Sequence, residues 1–234
     1  MKTRTLVFII CSPAGRVGKS MVARLLGDYF LASNRPFLGF DTDPHEPVFA
    51  ARFPQEVIVS DLTTVQGQMA LFDPLLINDV IPKIIDLWHR SMDAFFALVD
   101  QTDLIAEAHN AGVEPVLLFI ADASTRSLDA AARLAARYPD LQMVVVENAG
   151  AAPLSRDQLA RYPASRILKV GALDPVLRHA IEDPAFSLSH FMLAPPTSMS
   201  IVVRSGLRDW LARIFSQLRS FELRMALEQA EHLG

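Results

Sequence analysis

The sequence predicts an α/β fold in which a doubly wound, mostly parallel sheet carries helices on both faces. Three observations predict it. Short apolar runs alternate with helix-period stretches along the chain, as in βαβ units joined by right-handed crossovers. Several of the runs are apolar at every position, as strands covered on both faces are. The first run opens into a glycine-bearing loop followed at once by an amphipathic stretch.

The elements follow in order. Strands are expected at Leu6–Cys11, Phe37–Phe40, Val57–Val59, Ile84–Leu87, Val116–Ile120, Met143–Val146 and Ile167–Val170. Val22, Leu25, Leu26, Tyr29 and Phe30 form one helical stripe. Thr63–Val80, with Gly67, Pro74 and mixed polarity, reads as a loop holding a short helix. Ser91–Asn110 reads as one longer helix. Leu128, Ala131, Ala132, Leu134 and Ala135 mark another, stopped by Pro139. Ala152–Pro163 and Pro184–Pro196 read as proline-bearing surface connections. Ser198–Gly234 reads as one or two helices with Trp210, Ile214, Leu218, Phe221 and Met225 on one side. No internal repeat or low-complexity linker divides the chain, so residues 1–234 are expected to form a single domain, with 198–234 a C-terminal helical segment.

Composition narrows the function classes. A chain of 234 residues with 51% hydrophobic content builds a real core and is not disordered. A net charge of -4 argues against a globally basic nucleic-acid surface. Cys11 is the only cysteine, so no internal disulfide forms, which fits a reducing compartment. Met1 to Cys11 is apolar after two basic residues, yet it runs into Pro13-Ala14-Gly15-Arg16 instead of a small-residue cleavage site, and reads as a buried strand. No apolar run reaches the roughly 18–20 residues of a membrane helix. A cytoplasmic location is therefore expected. His45, His89, His109, His179, His190 and His232 show no metal-ligand spacing, and no nucleophile-elbow sequence supports a catalytic triad.

The loop Ser12-Pro13-Ala14-Gly15-Arg16-Val17-Gly18-Lys19-Ser20 is the strongest local signal. It follows a strand and precedes a helix, the context of a phosphate loop. Such a loop curls backbone N–H groups around a β-phosphate, and the helix N-terminus adds positive potential. Gly15 and Gly18 permit close approach, Lys19 is expected on β- and γ-phosphate oxygens, and Ser20 on Mg²⁺. The basic residues of the chain are mostly Arg, the lysines being only Lys2, Lys19, Lys83 and Lys169, so a Lys inside this loop stands out. An ordinary strand-to-helix turn with a solvated lysine is the alternative.

Carboxylates end the following strands, facing the crevice where α/β sheets bind ligands. In Asp41-Thr42-Asp43-Pro44-His45, Asp41 suits Mg²⁺ held through water, and Asp43 suits orienting or deprotonating the attacking water. Both could equally cap a turn. Asp86, after Ile84 and Ile85, suits a second Mg²⁺-side role or an ion pair with Arg90 or His89. Asn148, after Val144–Glu147, could read adenine with its amide or simply start the turn to Gly150.

Taken in order, Ala14-Gly15-Arg16-Val17-Gly18-Lys19-Ser20 resembles the deviant Walker A loop of the ParA/MinD family of P-loop ATPases. Asp41-Thr42-Asp43-Pro44 resembles that family's switch I, Asp86 falls at its switch II, and Asn148 at its adenine-recognising Asn. The resemblance spans roughly residues 4 to 150, with a weaker echo in Ile167–Val176. It implies a P-loop NTPase fold, ATP and Mg²⁺ as cofactors, and ATP binding by residues 14–20 and Asn148. It further implies catalysis by Asp43 and Lys19, metal held by Ser20, Asp41 and Asp86, and an ATP-dependent homodimer. The implied roles are plasmid or chromosome partition, cell-division positioning, or DNA mobilisation, with nonspecific DNA or an adaptor protein as partner. Ala14 stands where the family writes its signature lysine and Arg16 where it writes a second glycine; Arg16 is the expected substitute charge on phosphate. Two other functions compete: a degenerate nucleotide-binding scaffold, and a ligase of the dethiobiotin-synthetase or cobyrinate-amidase class.

Arg204, Arg208, Arg213, Arg219 and Arg224 border the C-terminal apolar side, and Asp209, Glu222, Glu228 and Glu231 nearly cancel them. That balance weakens recruitment to membrane or DNA. Docking on the domain or a partner subunit is the expectation.

Overall fold

The computed structural model of the chain describes residues 4–151, 153–183 and 185–231. Met1 to Thr3, Ala152, Pro184 and His232 to Gly234 therefore lie outside the described residues, as do the side chains of residues 229–231. The first strand, β1 (Thr5–Cys11), shows how the layers arise. Its side chains alternate between two cores: Phe8 and Ile10 enter one hydrophobic cluster, and Val7, Ile9 and Cys11 the other. A strand buried on both faces reads as continuously apolar for this reason.

From β1 the chain runs through α1 (Lys19–Ala32), β2 (Leu38–Asp41), α2 (Val48–Arg52), β3 (Val57–Val59), α3 (Val65–Leu75) and β4 (Lys83–Asp86). It continues through α4 (Met92–Gln101), α5 (Leu104–Ala111), β5 (Val113–Ala121), α6 (Thr125–Arg137), β6 (Gln142–Asn148) and α7 (Arg156–Leu159). A 3₁₀ turn at Ala164–Arg166 leads to β7 (Ile167–Val170), α8 (Pro175–Ala180), α9 (Leu188–Leu193) and α10 (Ile201–Glu231). The seven strands form one sheet in the order β3-β2-β4-β1-β5-β6-β7, and every pairing is parallel. Helices α1, α2, α9 and α10 supply one core, and α3 to α6 the other. The strand order reverses about β1, whose neighbours are β4 and β5. A crevice is expected at the carboxyl end of β1 on those grounds.

All seven expected strands are present, with ends moved by a few residues. Three helical expectations need correction. Ser91–Asn110 is two helices, because Asp103 adopts a left-handed backbone (φ 50) and the Thr102 hydroxyl closes α4 on the Leu98 carbonyl at 2.8 Å. Apolar periodicity continues across such a break. The helix inside Thr63–Val80 is longer than the mixed polarity suggested: Thr64 caps α3 by accepting from the Gly67 N–H at 3.0 Å, and Pro74 falls in its last turn. Pro184–Pro196 is more than a surface connection. It holds α9, whose Leu188 and Phe191 are buried against α1. Buried Arg24 donates to the Ile181 carbonyl at 2.8 Å and to that of Phe186 at 2.5 Å. Asp28 accepts from the Ser189 N–H at 2.7 Å. The proline-rich reading could not anticipate two buried charges of α1 reaching for this segment's backbone.

The C-terminal segment is one helix lying on the sheet. Leu207, Trp210, Leu211, Ile214, Leu218, Phe221 and Met225 are buried in the same core as Phe8 and Ile10. Polar contacts fix its position. Trp210 donates to the Gly171 carbonyl at 2.8 Å, and Glu222 accepts from Tyr29 at 2.6 Å and from both terminal nitrogens of Arg35 at 2.9 Å. Gln217 lies along β7 at the sheet margin, accepting from the Lys169 N–H at 2.9 Å and donating to its carbonyl at 3.0 Å. Among the described residues no helix is long and apolar enough to cross a membrane.

Candidate functional site

The loop after β1 forms at the carboxyl edge of the sheet, where the chain must turn sharply from strand into helix. Two residues make the turn in left-handed backbone, Arg16 (φ 60) and Gly18 (φ 96). Gly18 is the natural choice: a Cβ there would lie 2.2 Å from Asn148 Nδ2. Arg16 holds the same backbone region without that freedom, a strain of about 1 kcal/mol or more that gathers at functional loops. Gly18 also opens α1 with no side-chain cap, so the first N–H groups of the helix face the cavity.

Lys19 and Ser20 begin α1. The Lys19 ammonium donates to the Ala14 carbonyl at 2.8 Å, folding the side chain back over its own loop. Burial pushes its pKa down, while Asp86, Cys11 and Asp43 push it back up. A cavity of about 440 Å³ opens above, lined by Lys19, Ser20, Asp41, Asp43 and Asp86 together with the glycines of the loop and Arg16. The structure thus gathers Gly15, Arg16, Gly18, Lys19, Ser20, Asp41, Asp43 and Asp86, from the ends of β1, β2 and β4, around one space, while the expected Ala14 and Val17 do not line it. Asn148 also lies outside that lining. Its amide donates to the Val17 carbonyl at 2.9 Å and its oxygen accepts from the Gly150 N–H at 3.1 Å. It braces the loop from below, with one amide hydrogen left over.

The three carboxylates differ in what they do. Asp41 is tied up: Oδ1 accepts from the Asp43 N–H at 3.1 Å, and Oδ2 from Phe49 and Ala50 at 2.9 and 3.2 Å. It caps α2 from a distance, the structural alternative open to it from the sequence. Asp43 accepts from the His45 and Glu46 N–H groups at 3.0 and 3.1 Å through Oδ1, which orients the carboxylate within its turn. Asp86 is buried, and among the described residues neither Arg90 nor His89 forms an ion pair with it. Burial pushes its carboxyl up to about 7. The charges of Asp41 and Asp43 push the same way, and a Ser20 hydrogen bond and Lys19 oppose them.

Asp86 therefore binds its proton more tightly in the folded chain than in the unfolded one, where the ordinary value is 3.8. The linkage has one sign: the contribution of Asp86 to stability is fully present below about pH 4, is lost as pH rises to about 7, and stays lost above. Asp86→Asn removes this loss. The gain in melting temperature of the ligand-free protein is expected to be larger at pH 8 than at pH 5. Thermal melts at the two pH values check it, and equal gains would refute the raised proton affinity of Asp86 in the folded chain.

A buried carboxylate that forms no ion pair among the described residues, beside a hydroxyl and an open helix N-terminus, fits Mg²⁺ with phosphate. That ion takes oxygen donors, keeps waters, and needs only one or two carboxylates besides phosphate. The described residues contain no group of three or more His, Cys, Asp or Glu side chains that could hold a metal ion alone, which such a site does not require.

Trp88 and His89 border this space, and Thr42, to which the sequence reading assigned no role, bonds the strand ends beside it. The Trp88 N–H donates to Thr42 Oγ1 at 2.8 Å, and Thr42 donates to the Asp86 carbonyl through its N–H at 3.2 Å. Asp41 and Asp86 are register partners in β2 and β4. A threonine between two aspartates was the available signal, since a hydroxyl at a strand end bonds neighbouring backbone.

An all-parallel sheet of this order, with a glycine-bearing strand-to-helix loop after its central strand, matches the P-loop NTPase class of fold. Comparison with solved structures places it more narrowly. The chain is similar to the cell division ATPase MinD of Pyrococcus furiosus, with a TM-score of 0.51 and 13% identity over 93% of this chain and 99% of that one. It is also similar to the septum site-determining protein MinD complexed with Mg-ADP from Pyrococcus horikoshii OT3, with a TM-score of 0.50 and 14% identity over 92% of this chain and 96% of that one. These likenesses show a shared ParA/MinD-type fold. No protein-family model matches the chain, and no curated protein matches it in sequence.

Proposed function

We propose that the chain is a Mg²⁺-dependent ATP-binding switch of the ParA/MinD kind, acting in partition, division-site placement or DNA mobilisation. One observation carries the reading: Lys19, Ser20, Asp43, Asp86 and the uncapped start of α1 converge on one cavity at the sheet's switch point. Loop N–H groups and Lys19 would hold the phosphates, and Ser20 and Asp86 would hold Mg²⁺, with Asp41 behind them. Mg²⁺, when bound, would neutralise charge shared between phosphate oxygens. Asp43, oriented by its turn, would position the attacking water. Arg16, exposed at the mouth, would bring a guanidinium to phosphate within one chain or across a homodimer. A cytoplasmic setting belongs to the same proposal.

The test pairs binding with turnover. Asp43→Ala is expected to keep ATP affinity, measured by calorimetry, while ADP release falls by roughly 10²–10⁴, the usual worth of a positioned acid–base group. Equal loss of binding would make Asp43 a structural or metal residue. A wild type that binds ATP with Mg²⁺ and never turns it over would replace the switch with a nucleotide-binding scaffold. Sedimentation with a non-hydrolysable analogue addresses the homodimer, and a wild type that stays monomeric removes the role of Arg16 across it.

A further inference from the structure

The turn after β4 sets the ring of His89 against the phosphate loop. A Cβ built on Gly15 would meet His89 Cε1 at 3.3 Å, Nδ1 at 3.5 Å and Nε2 at 3.6 Å. The face of the imidazole, at its Nδ1–Cε1–Nε2 side, therefore lies over Gly15, and the ring lines the cavity with Lys19 and Asp43. Among the described residues the imidazole makes no hydrogen bond, so its polar edge is free. Burial, with Lys19 and Arg90, holds its pKa below the usual value, and Asp43 opposes them. The neutral ring keeps one N–H donor.

Trp88 connects this ring to the turn after β2. Its indole meets the His89 ring at 5.8 Å and 76°, and the His45 ring at 5.7 Å and 69°. The Arg90 guanidinium lies 5.4 Å from the indole centre. The backbone N–H of Trp88 donates to the hydroxyl of Thr42, next to Asp43. A displacement of His89 is thus felt by both turns through packed rings and one short hydrogen bond.

A diphosphate is satisfied by the loop N–H groups and the helix start, whereas a third phosphate extends past the lysine toward the groups that complete the site. Here those groups are Asp43 and His89. We propose that His89 distinguishes a bound nucleoside triphosphate from a diphosphate by donating a hydrogen bond to the terminal phosphate, and that Trp88 passes the difference to the turn carrying Asp43. The inference rests on the nucleotide reading above and goes beyond it in naming the residue that recognises the third phosphate.

Calorimetry with ADP and a non-hydrolysable ATP analogue, both with Mg²⁺, tests it on wild type, His89→Ala and His89→Gln. The ratio of analogue to ADP affinity is expected to fall about tenfold in His89→Ala, the worth of one hydrogen bond to a charged group. His89→Gln keeps an N–H donor and is expected to recover most of the ratio. Tryptophan emission is expected to change more with the analogue than with ADP, and the difference to vanish in Trp88→Phe. An unchanged ratio in a folded His89→Ala that binds both nucleotides would overturn the role of His89 alone. Identical emission with both nucleotides would overturn the coupling through Trp88. A wild type that binds neither nucleotide would overturn the parent reading and this one together, a result distinct from the other two.

Discussion

Lys19→Ala is expected to weaken ATP binding at least tenfold, or ~1.4 kcal/mol, because a charge-assisted hydrogen bond to phosphate is lost from a buried site. The effect should exceed that of any other single loop substitution. Lys19 supplies the only ammonium near the cavity among the described residues: Lys83 is buried at the far end of β4 on Asp79 and the Ile77 carbonyl, and Lys169 is exposed on β7. Its present partner is a neutral carbonyl, Ala14 O, which an anionic phosphate easily outcompetes. The mutant also removes the positive charge that restrains the raised pKa of Asp86, so circular dichroism must accompany calorimetry. A folded mutant of unchanged affinity would end the phosphate-loop assignment.

Ending the chain before Ser198 is expected to abolish soluble expression or to lower the melting temperature sharply. Seven α10 side chains from Leu207 to Met225 are each no more than 8% exposed. Burial of one such side chain contributes about 1.5–3 kcal/mol, so the set contributes on the order of 10 kcal/mol, which rivals the whole net stability of a domain. Unfolded chains already bury part of that area, yet the truncation would also uncover Phe8, Tyr29 and Leu168. Glu222 would leave Arg35 and Tyr29 behind it without their shared partner. A truncated protein that melts with the full chain would show that the helix is an appendage.

The sheet was legible because its strands are buried on both faces, so that Leu6–Cys11 or Met143–Val146 leaves little else for a short apolar run to be. The loop residues and Asp86 were legible through their spacing and their positions at strand ends. What escaped depends on groups far apart in sequence. Asp41 spends its carboxylate on Phe49 and Ala50, and no local pattern distinguishes that cap from a metal ligand. Asn148 reaches back 131 residues to Val17. The ring chain of His45, Trp88 and His89 joins two turns whose proximity follows from the pairing of β2 with β4, which periodicity does not encode.

The two margins of the sheet are not equivalent, and Gln217 is the reason. By satisfying both the N–H and the carbonyl of Lys169, its amide imitates a further strand and leaves no template for one. The β3 margin has only three residues, two of them the exposed Ile58 and Val59. Unwanted polymerisation through backbone pairing should therefore begin at β3 in the native protein, and α10 acts there as a guard against fibre growth from the opposite side. Mutations that loosen α10 would carry a second penalty beyond lost stability, by releasing a sticky edge that the native chain keeps sealed.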